Sequence, residues 1–187
     1  MEVELKNPDI RYVHQMESVI IDKDWAKNNA PKELYYMYRN LKQENGLRYD
    51  VTVIPALLMG NEFIKTKGHE HCSGHKELYI VLEGQGIFLM QKENDVYAVK
   101  GEKGDYIIVP KDYSHITINP SKTDTLKMAN WVSNDCVSDY KKIDENQGAA
   151  YFYTTSGWIK NNNYKNIPEI RFEEPLKQAP ENLDFLK

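Results

Sequence analysis

The sequence predicts an all-β domain, a sandwich or barrel of short strands, preceded by an N-terminal arm and followed by a polar extension. Three observations predict it. From Arg48 onward, runs of β-branched and aromatic residues recur at about ten-residue spacing, each closed by a Gly, Pro, Asn or Asp turn signal. The chain has 187 residues, 41% of them hydrophobic and 11% aromatic, enough for one core and one domain with extensions. No internal repeat of the solenoid kind runs through it.

Residues 1–33 read as an arm that covers the β domain. KELYYMY, Lys32 to Tyr38, fits either a short helix or an alternating strand, and periodicity does not choose between them. The β domain is expected over 34–160. Its strands are YDVTVIPALL, EFIKT, ELYIVLEG, GIFLMQK, DVYAVK, DYIIVP, HITIN and TLKMANWV, and YFYTTSGWIK is a candidate further strand. GNE, GQG, KEND, GEKGD, PKDYS and NPSKTD separate the runs. Residues 161–187 form the extension, whose EEPLKQAPENLDFLK reads as a polar tail or a strap.

Charge and apolar patterning exclude several functions. A net charge of -4 gives no basic footprint for nucleic acid or an anionic membrane surface. No apolar run is long enough for a spanning helix. MEVELKNPDI lacks the basic and apolar regions of a secretory signal. Cys72 and Cys136 are too few for a disulfide framework, so a reducing, cytoplasmic setting is expected.

The chemistry gathers in KTKGHEHCSGHKELYIVLEGQG, residues 65–86, which holds three of the five histidines. His69 and His71 are two apart, so on a strand both imidazoles project to one face. Glu77 comes after a loop-like CSGHK and heads the strand ELYIVLEG, which can bring its carboxylate back beside the rings. A partner lies downstream: GDYIIVPKDYSHITIN puts His115 at the start of another strand. Three imidazoles and one carboxylate suit a borderline divalent ion, Fe, Mn, Ni or Zn, with positions left open for a substrate. His75 reads as a loop residue, His14 carries no signal, and Cys72, on the opposite face from His71, reads as packing. An HExxH protease site fails because Ser73 stands where its second histidine would be, and no CxxC pair supports a zinc finger.

These residues resemble the cupin superfamily. Its first motif finds His69, His71, Glu77 and Gly84 here, and its second, G-x5-P…H-x3-N, finds Gly104, Pro110, His115 and Asn119. The chain departs from the pattern with five residues between His71 and Glu77, with Asp112 where glycine is common, and with Phe63 at the usual opening glycine. The resemblance implies a double-stranded β-helix, or jelly-roll, barrel. Within cupins, TKGHEH looks like the TKGHxH signature of the metal-dependent glucose-6-phosphate isomerases, which share the longer loop before the glutamate. The likeness runs from about Leu34 to Tyr140 and is strongest at 62–119. It implies metal ligands at His69, His71, Glu77 and His115, and phosphate contacts at Thr52, Thr66, Gly68 and a tyrosine of LYYMY, best matched by Tyr35. Tyr79 and Tyr140 match pocket positions of the family. Two departures accompany it: Trp131 replaces a family tyrosine, and Ser138-Asp139-Tyr140 replaces a His-Asp-Tyr element.

The implied activity is the interconversion of glucose 6-phosphate and fructose 6-phosphate, a step of glycolysis and gluconeogenesis. One divalent ion per chain, iron(II) first with Mn, Ni or Zn as alternatives, would polarise the sugar oxygens. Glu77 would carry the proton between C1 and C2, with a hydride shift as the competing route. The threonine hydroxyls, the Gly68 N–H and the charge of Lys67 would hold the phosphate. Cupins pair through exchanged N-terminal strands, so the resemblance implies a homodimer. The rival readings are a dioxygenase of the acireductone type, which uses the same ligand set, and a non-enzymatic sugar-binding cupin.

Overall fold

The computed structural model describes residues 4–72 and 74–187. The first three residues of the expected arm, and Ser73 of the CSGHK loop, lie outside the described residues. The arm opens with β1 (Asp9–Tyr12), passes through two single turns of 3-10 helix at Val13–Gln15 and Glu17–Val19, and ends in α1 (Lys23–Asn28). Asp22 caps α1 by accepting the Trp25 N–H at 2.8 Å. Val13, Met16, Val19 and Ile20 are buried in the main core.

The ambiguous KELYYMY is strand: β2 runs Glu33–Glu44, pairing with β1 on one side and β3 (Leu47–Ile54) on the other. Two neighbouring ladders satisfy its backbone where a short helix would have left both ends to cap. Asn45 and Gly46, both at positive φ, make the two-residue turn between β2 and β3, the conformation that suits Asn-Gly and the strand twist. The expected YDVTVIPALL strand breaks at Pro55, which has no N–H for a ladder. β3 ends at Ile54, and only β4 (Leu58–Met59) remains of the run beyond it. EFIKT likewise contracts to β5 (Glu62–Phe63) and a single bridge from Lys65 to Ile118.

The remaining strands are β6 (Glu70–His71), β7 (Glu77–Glu83), β8 (Gln85–Lys92), β9 (Asp95–Glu102), β10 (Tyr106–Val109), β11 (Ser114–Ile118), β12 (Leu126–Ser133) and β13 (Ser138–Asp139). After α2 (Lys141–Glu145) come the hairpin β14 (Tyr151–Thr154) and β15 (Gly157–Lys160), then β16 (Arg171–Glu173). One sheet has the order β1-β2-β3-β12-β7-β10 and a second β11-β8-β9-β16. The pairings are antiparallel except β16 with β9. Phe88, Leu89, Met90, Ile107, Ile116 and Leu126 belong to the core these sheets enclose. This is the all-β jelly-roll arrangement that the sequence predicts.

Three turns account for motif positions outside the His/Glu set. Gly84 takes φ +74, and a Cβ there would stand 2.4 Å from the Thr125 carbonyl oxygen, so no side chain fits. Asp112, where glycine is common, adopts φ 64, a left-handed conformation that aspartate tolerates better than most residues. Asn119 closes its turn with both ends of its amide, donating to the Ile54 and Asp124 carbonyls at 2.9 Å and accepting from Ser121 N–H at 3.0 Å.

The extension is a strap. Leu186 is buried with Leu47 and Leu78 on the outer face of the first sheet, where Trp131 also packs. Arg171 pairs with Asp95 at 2.9 Å and Lys177 with Asp105 at 2.9 Å. The arm is pinned by the buried pair of Lys65 and Glu62: Lys65 Nζ also donates to the Val19 carbonyl at 2.8 Å, and Glu62 accepts from the Ile21 N–H at 3.2 Å. A buried pair with further hydrogen bonds on both partners escapes most of the desolvation penalty that an isolated one bears.

Candidate metal centre

The side chains of the first sheet that face inward can be traced row by row. In β2, Tyr35, Met37 and Arg39 share a face, and in β3 Arg48, Asp50 and Thr52 do so by the same two-residue alternation. The ladders set Met37 beside Thr52 and Thr52 beside Met128, then Asp50 beside Asn130 and Asn130 beside Tyr79. The last row joins Arg48, Val132 and Glu77. Glu77 is therefore held mid-sheet, between β12 and β10, at one end of a cavity floor whose other end carries Thr52. The cavity, counting the part open to solvent, contains about 570 Å³ of empty space.

The second pair of histidine-bearing segments closes over that floor. His69 and His115 form an antiparallel bridge, with His115 N–H donating to the His69 carbonyl at 2.9 Å and His69 N–H to the His115 carbonyl at 3.3 Å. This bridge joins the two distant motifs through the backbone itself. Gly68 makes it possible: at φ +84, a Cβ would lie 2.4 Å from Ile116 Cγ1. The glycine of TKGH thus serves the approach of two strands as well as lining the cavity. Only Glu70–His71 is regular strand here, yet the two-residue spacing still turns both imidazoles inward, with ring centroids 5.3 Å apart.

His69, His71, Glu77 and His115 each offer one ligand atom, and the four atoms lie within 4.8 Å of one another. Donors on one ion stand about 3–4 Å apart, so the cluster is within a small adjustment of a coordination shell. Glu77 Oε2 is 3.2 Å from His115 Nε2 and 3.4 Å from His71 Nε2. The far nitrogens are occupied: His71 Nδ1–H donates to the His75 carbonyl at 2.9 Å, and His115 Nδ1–H to the Tyr113 carbonyl at 3.4 Å. Such backbone contacts select the Nε2 lone pair for the ion. The five-residue loop before Glu77 delivers the His75 carbonyl, a function its sequence did not disclose.

Electrostatics agree with a cation at this point. Burial, and then the proximity of His115, hold His69 well below its ordinary pKa, in the neutral form a ligand needs. Burial works against a charged His71 as well, but the Cys136 thiol and the Glu77 carboxylate raise its pKa to about 10. Burial disfavours the Glu77 anion, yet the adjacent His115 and His71 imidazoles hold its pKa well below the usual carboxylate range. Glu77 Oε2 and His115 Nε2 are nonetheless buried without a properly aligned hydrogen bond. A proton on one ring answers the charge of Glu77, whereas a divalent ion answers the charge and also satisfies three nitrogens and an oxygen together. The residues fit a metal.

All six residues expected to contact substrate line this cavity: Tyr35, Thr52, Thr66, Gly68, Tyr79 and Tyr140. The Tyr35 hydroxyl accepts the Lys67 N–H at 3.2 Å, and Thr66 Oγ1 accepts the Thr117 N–H at 3.0 Å, which leaves the Thr66 hydroxyl proton pointing elsewhere. Burial and the neighbouring Glu77 push the Tyr79 phenol well above its usual pKa, so it stays a donor. Tyr140 lies 5.6 Å from the His69 ring, centroid to centroid. Trp131 is on the other face of β12, against Tyr49 at 5.0 Å, so the departure at that position does not touch the cavity. Ser138 does line it. Cys72, read as packing, is exposed, in the turn just past β6, where its N–H donates to the Val137 carbonyl at 3.0 Å.

Sequence reasoning passed over Arg11, Arg39, Arg48 and Asn130, all of which line the cavity. For two of them the signal was present: Arg39 is four residues after Tyr35, and Arg48 four before Thr52, each on the same strand face. Asp50, fully buried behind the lining, accepts from Arg39 Nη1 at 3.1 Å, Arg48 Nε at 3.2 Å and the Asn40 N–H at 2.8 Å.

The chain's residues 10–169 match the family model described as Glucose-6-phosphate isomerase (GPI), well beyond the stretch that carries the motifs. Among curated proteins, the glucose-6-phosphate isomerase of Pyrococcus furiosus is 28% identical over 84% of this chain and 87% of its own length. That of Thermococcus litoralis is 29% identical over 76% and 78%. An acireductone dioxygenase of Hahella chejuensis is 36% identical, but over 40% of this chain and 42% of its own.

Proposed function

The chain belongs to the glucose-6-phosphate isomerase family, and from that premise we propose that it is a metal-dependent aldose–ketose isomerase acting on glucose 6-phosphate and fructose 6-phosphate. The observation that carries the metal dependence is the convergence of His69, His71, Glu77 and His115 at one end of a cavity whose other end holds hydroxyls and cations. A divalent ion bound by these four residues supplies Lewis-acid polarisation of adjacent sugar oxygens.

The chain's own groups do the rest. Glu77 is the carboxylate that takes a proton from C2 of the aldose and returns it at C1 for the ketose, while the hydroxyl proton passes from O2 to O1. The Tyr79 phenol, kept protonated, donates a hydrogen bond to a sugar oxygen beside Glu77. At the far end of the floor, Thr52, the free hydroxyl proton of Thr66 and the backbone at Gly68 hold the phosphate, while Tyr35 sets the position of the Lys67 amide. Binding the phosphate away from the reacting carbons orients C1 and C2 against the carboxylate. Tyr140 flanks His69 and covers the sugar. The same reading makes iron(II) the ion, the chain a cytoplasmic homodimer, and nucleic acid and membranes no partners of it. The dioxygenase reading has less support, since that likeness spans under half of the chain.

The test is a coupled isomerase assay on purified protein before and after EDTA, with iron(II) or Mn restored. Activity that vanishes on chelation and returns with the ion supports the proposal. Full-rate interconversion by a metal-free sample would refute it, and oxygen uptake with an enediol substrate would favour the dioxygenase.

A further inference from the structure

We propose that Arg11, from the first strand, is a phosphate-binding residue of the substrate cavity. The inference deepens the reading above and rests on it for the identity of the ligand, a phosphate monoester carried by a sugar. Arg11 lines the cavity with Tyr35, Thr52, Thr66, Lys67 and Gly68. It stands opposite Tyr35 in the β1–β2 ladder, and the register slips between Arg11 and Tyr12. Residues directly opposite on paired strands share a face, so the regular rung up to the slip puts Arg11 on the cavity side with Tyr35. Its guanidinium carbon lies 6.0 Å from the centre of the Tyr35 ring, over the tyrosine whose hydroxyl accepts the Lys67 amide.

Charge pairing distinguishes Arg11 from the other cations of the cavity. Arg39 and Arg48 share Asp50, and Lys67 pairs with Asp144 at 2.9 Å. Arg11 forms no ion pair among the described residues, and its Nε is buried without a hydrogen-bond partner. A guanidinium nitrogen removed from water and given no acceptor is costly, whereas an oxyanion in the cavity satisfies it. The planar fork of arginine matches two phosphate oxygens at once, and the charge favours a doubly negative ligand over a neutral sugar. Arg11 therefore supplies the net positive charge that the hydroxyls of Thr52 and Thr66 lack. It also ties the arm to the occupied site.

Binding of inorganic phosphate, measured calorimetrically on the metal-free and the iron-loaded protein, tests the assignment alongside KM for the sugar phosphate. Arg11→Gln should weaken phosphate binding and raise KM by about 10- to 100-fold, the range of one charge-assisted contact, with kcat changed far less. Arg11→Lys should recover part of the loss, because it restores the charge without the fork. A structural role alone would lower the melting temperature and leave phosphate affinity unmoved, and that result overturns the proposal. If Arg11→Gln does not fold, Arg11→Lys decides: weaker phosphate binding by several-fold supports the assignment, and wild-type affinity overturns it. Arg11-dependent phosphate binding without sugar isomerisation would sink the isomerase reading and leave this site standing. Isomerisation with phosphate affinity indifferent to Arg11 would do the reverse.

Discussion

Replacing Thr66 by valine separates two jobs held by one oxygen. Thr66 Oγ1 accepts the Thr117 N–H at 3.0 Å, next to a backbone bond from Thr66 N–H to the Thr117 carbonyl at 2.8 Å. Valine keeps the branched shape and the extended backbone but removes the acceptor. Thr117 is buried, at 1% exposure, so its N–H is left unsatisfied at a cost of about 1–3 kcal/mol. For a chain of this length each kcal/mol lowers the melting temperature by about 2–4 °C, so a fall of roughly 2–12 °C is expected. The hydroxyl proton is the group assigned to phosphate, and losing a hydrogen bond to a charged acceptor, about 1.5–3 kcal/mol, raises KM by about 10- to 100-fold. Thr66→Ser keeps the oxygen and should stay near wild type in both respects. Calorimetric melting and steady-state kinetics with fructose 6-phosphate measure the two effects on the same samples. A lowered melting temperature with unchanged KM would remove Thr66 from the phosphate site. An unchanged melting temperature would refute the Thr117 contact itself.

The geometry sets three further outcomes. His115→Ala should leave the purified protein with little bound metal by elemental analysis while its far-UV circular dichroism stays that of the wild type, since the His69–His115 bridge is made by backbone; full metal retention would break up the proposed ligand set. Asp50→Ala strips Arg39, Arg48 and the Asn40 N–H of one shared acceptor and should cost about 3 kcal/mol in denaturant unfolding, with a loss under about 1 kcal/mol counting against a structural clamp. Acid should release the strap before the barrel. Hydrogen bonding from Arg171 and Tyr113 lowers the pKa of Asp95, and the Glu102 N–H and Lys177 lower that of Asp105 in spite of its burial. A depressed folded pKa means that the stabilisation is fully present above the unfolded carboxylate value of about 4 and is lost as pH falls through the lower, folded value. The hydrogen-exchange protection factors at 171–187, taken against the intrinsic rate at each pH, should therefore fall below about pH 4 and be flat from there to neutrality; protection lost near pH 7 instead would contradict these pairings.

The four residues of the His/Glu cluster were legible because their chemistry and spacing are local. Imidazoles two apart face one way on any extended segment, and a carboxylate heading an apolar strand has few other reasons to be there. The turn residues were legible for a related reason: a glycine such as Gly84 answers to backbone sterics that the neighbouring sequence announces. Tyr35, Thr52 and Thr66 came from resemblance, and the strand ladders place them along one cavity. Arg39 and Arg48 carried a signal in their four-residue spacing from Tyr35 and Thr52, but Arg11 was not legible, since a lone arginine on a strand reads as a solvated face until the partner strand is known. KELYYMY could not be decided because its apolar residues, Leu34, Tyr35, Tyr36, Met37 and Tyr38, run without a break and satisfy either period; only flanking β1 and β3 made it a strand.

By itself, then, the sequence determined the β class, the turn positions and the identity of the four groups that converge in one cluster able to hold a cation. Each of these depends on residue type and short-range spacing. Tertiary structure decided the rest: which ladder row carries Glu77, that Trp131 turns away from the cavity, and which cations have a carboxylate of their own. Those facts are set by pairing between strands distant in sequence, as the rung of Arg48 with Val132 shows, and by the rung that sets Arg11 beside Tyr35. Charge compensation is a property of neighbours in space, so no reading along the chain finds the cation left to a ligand.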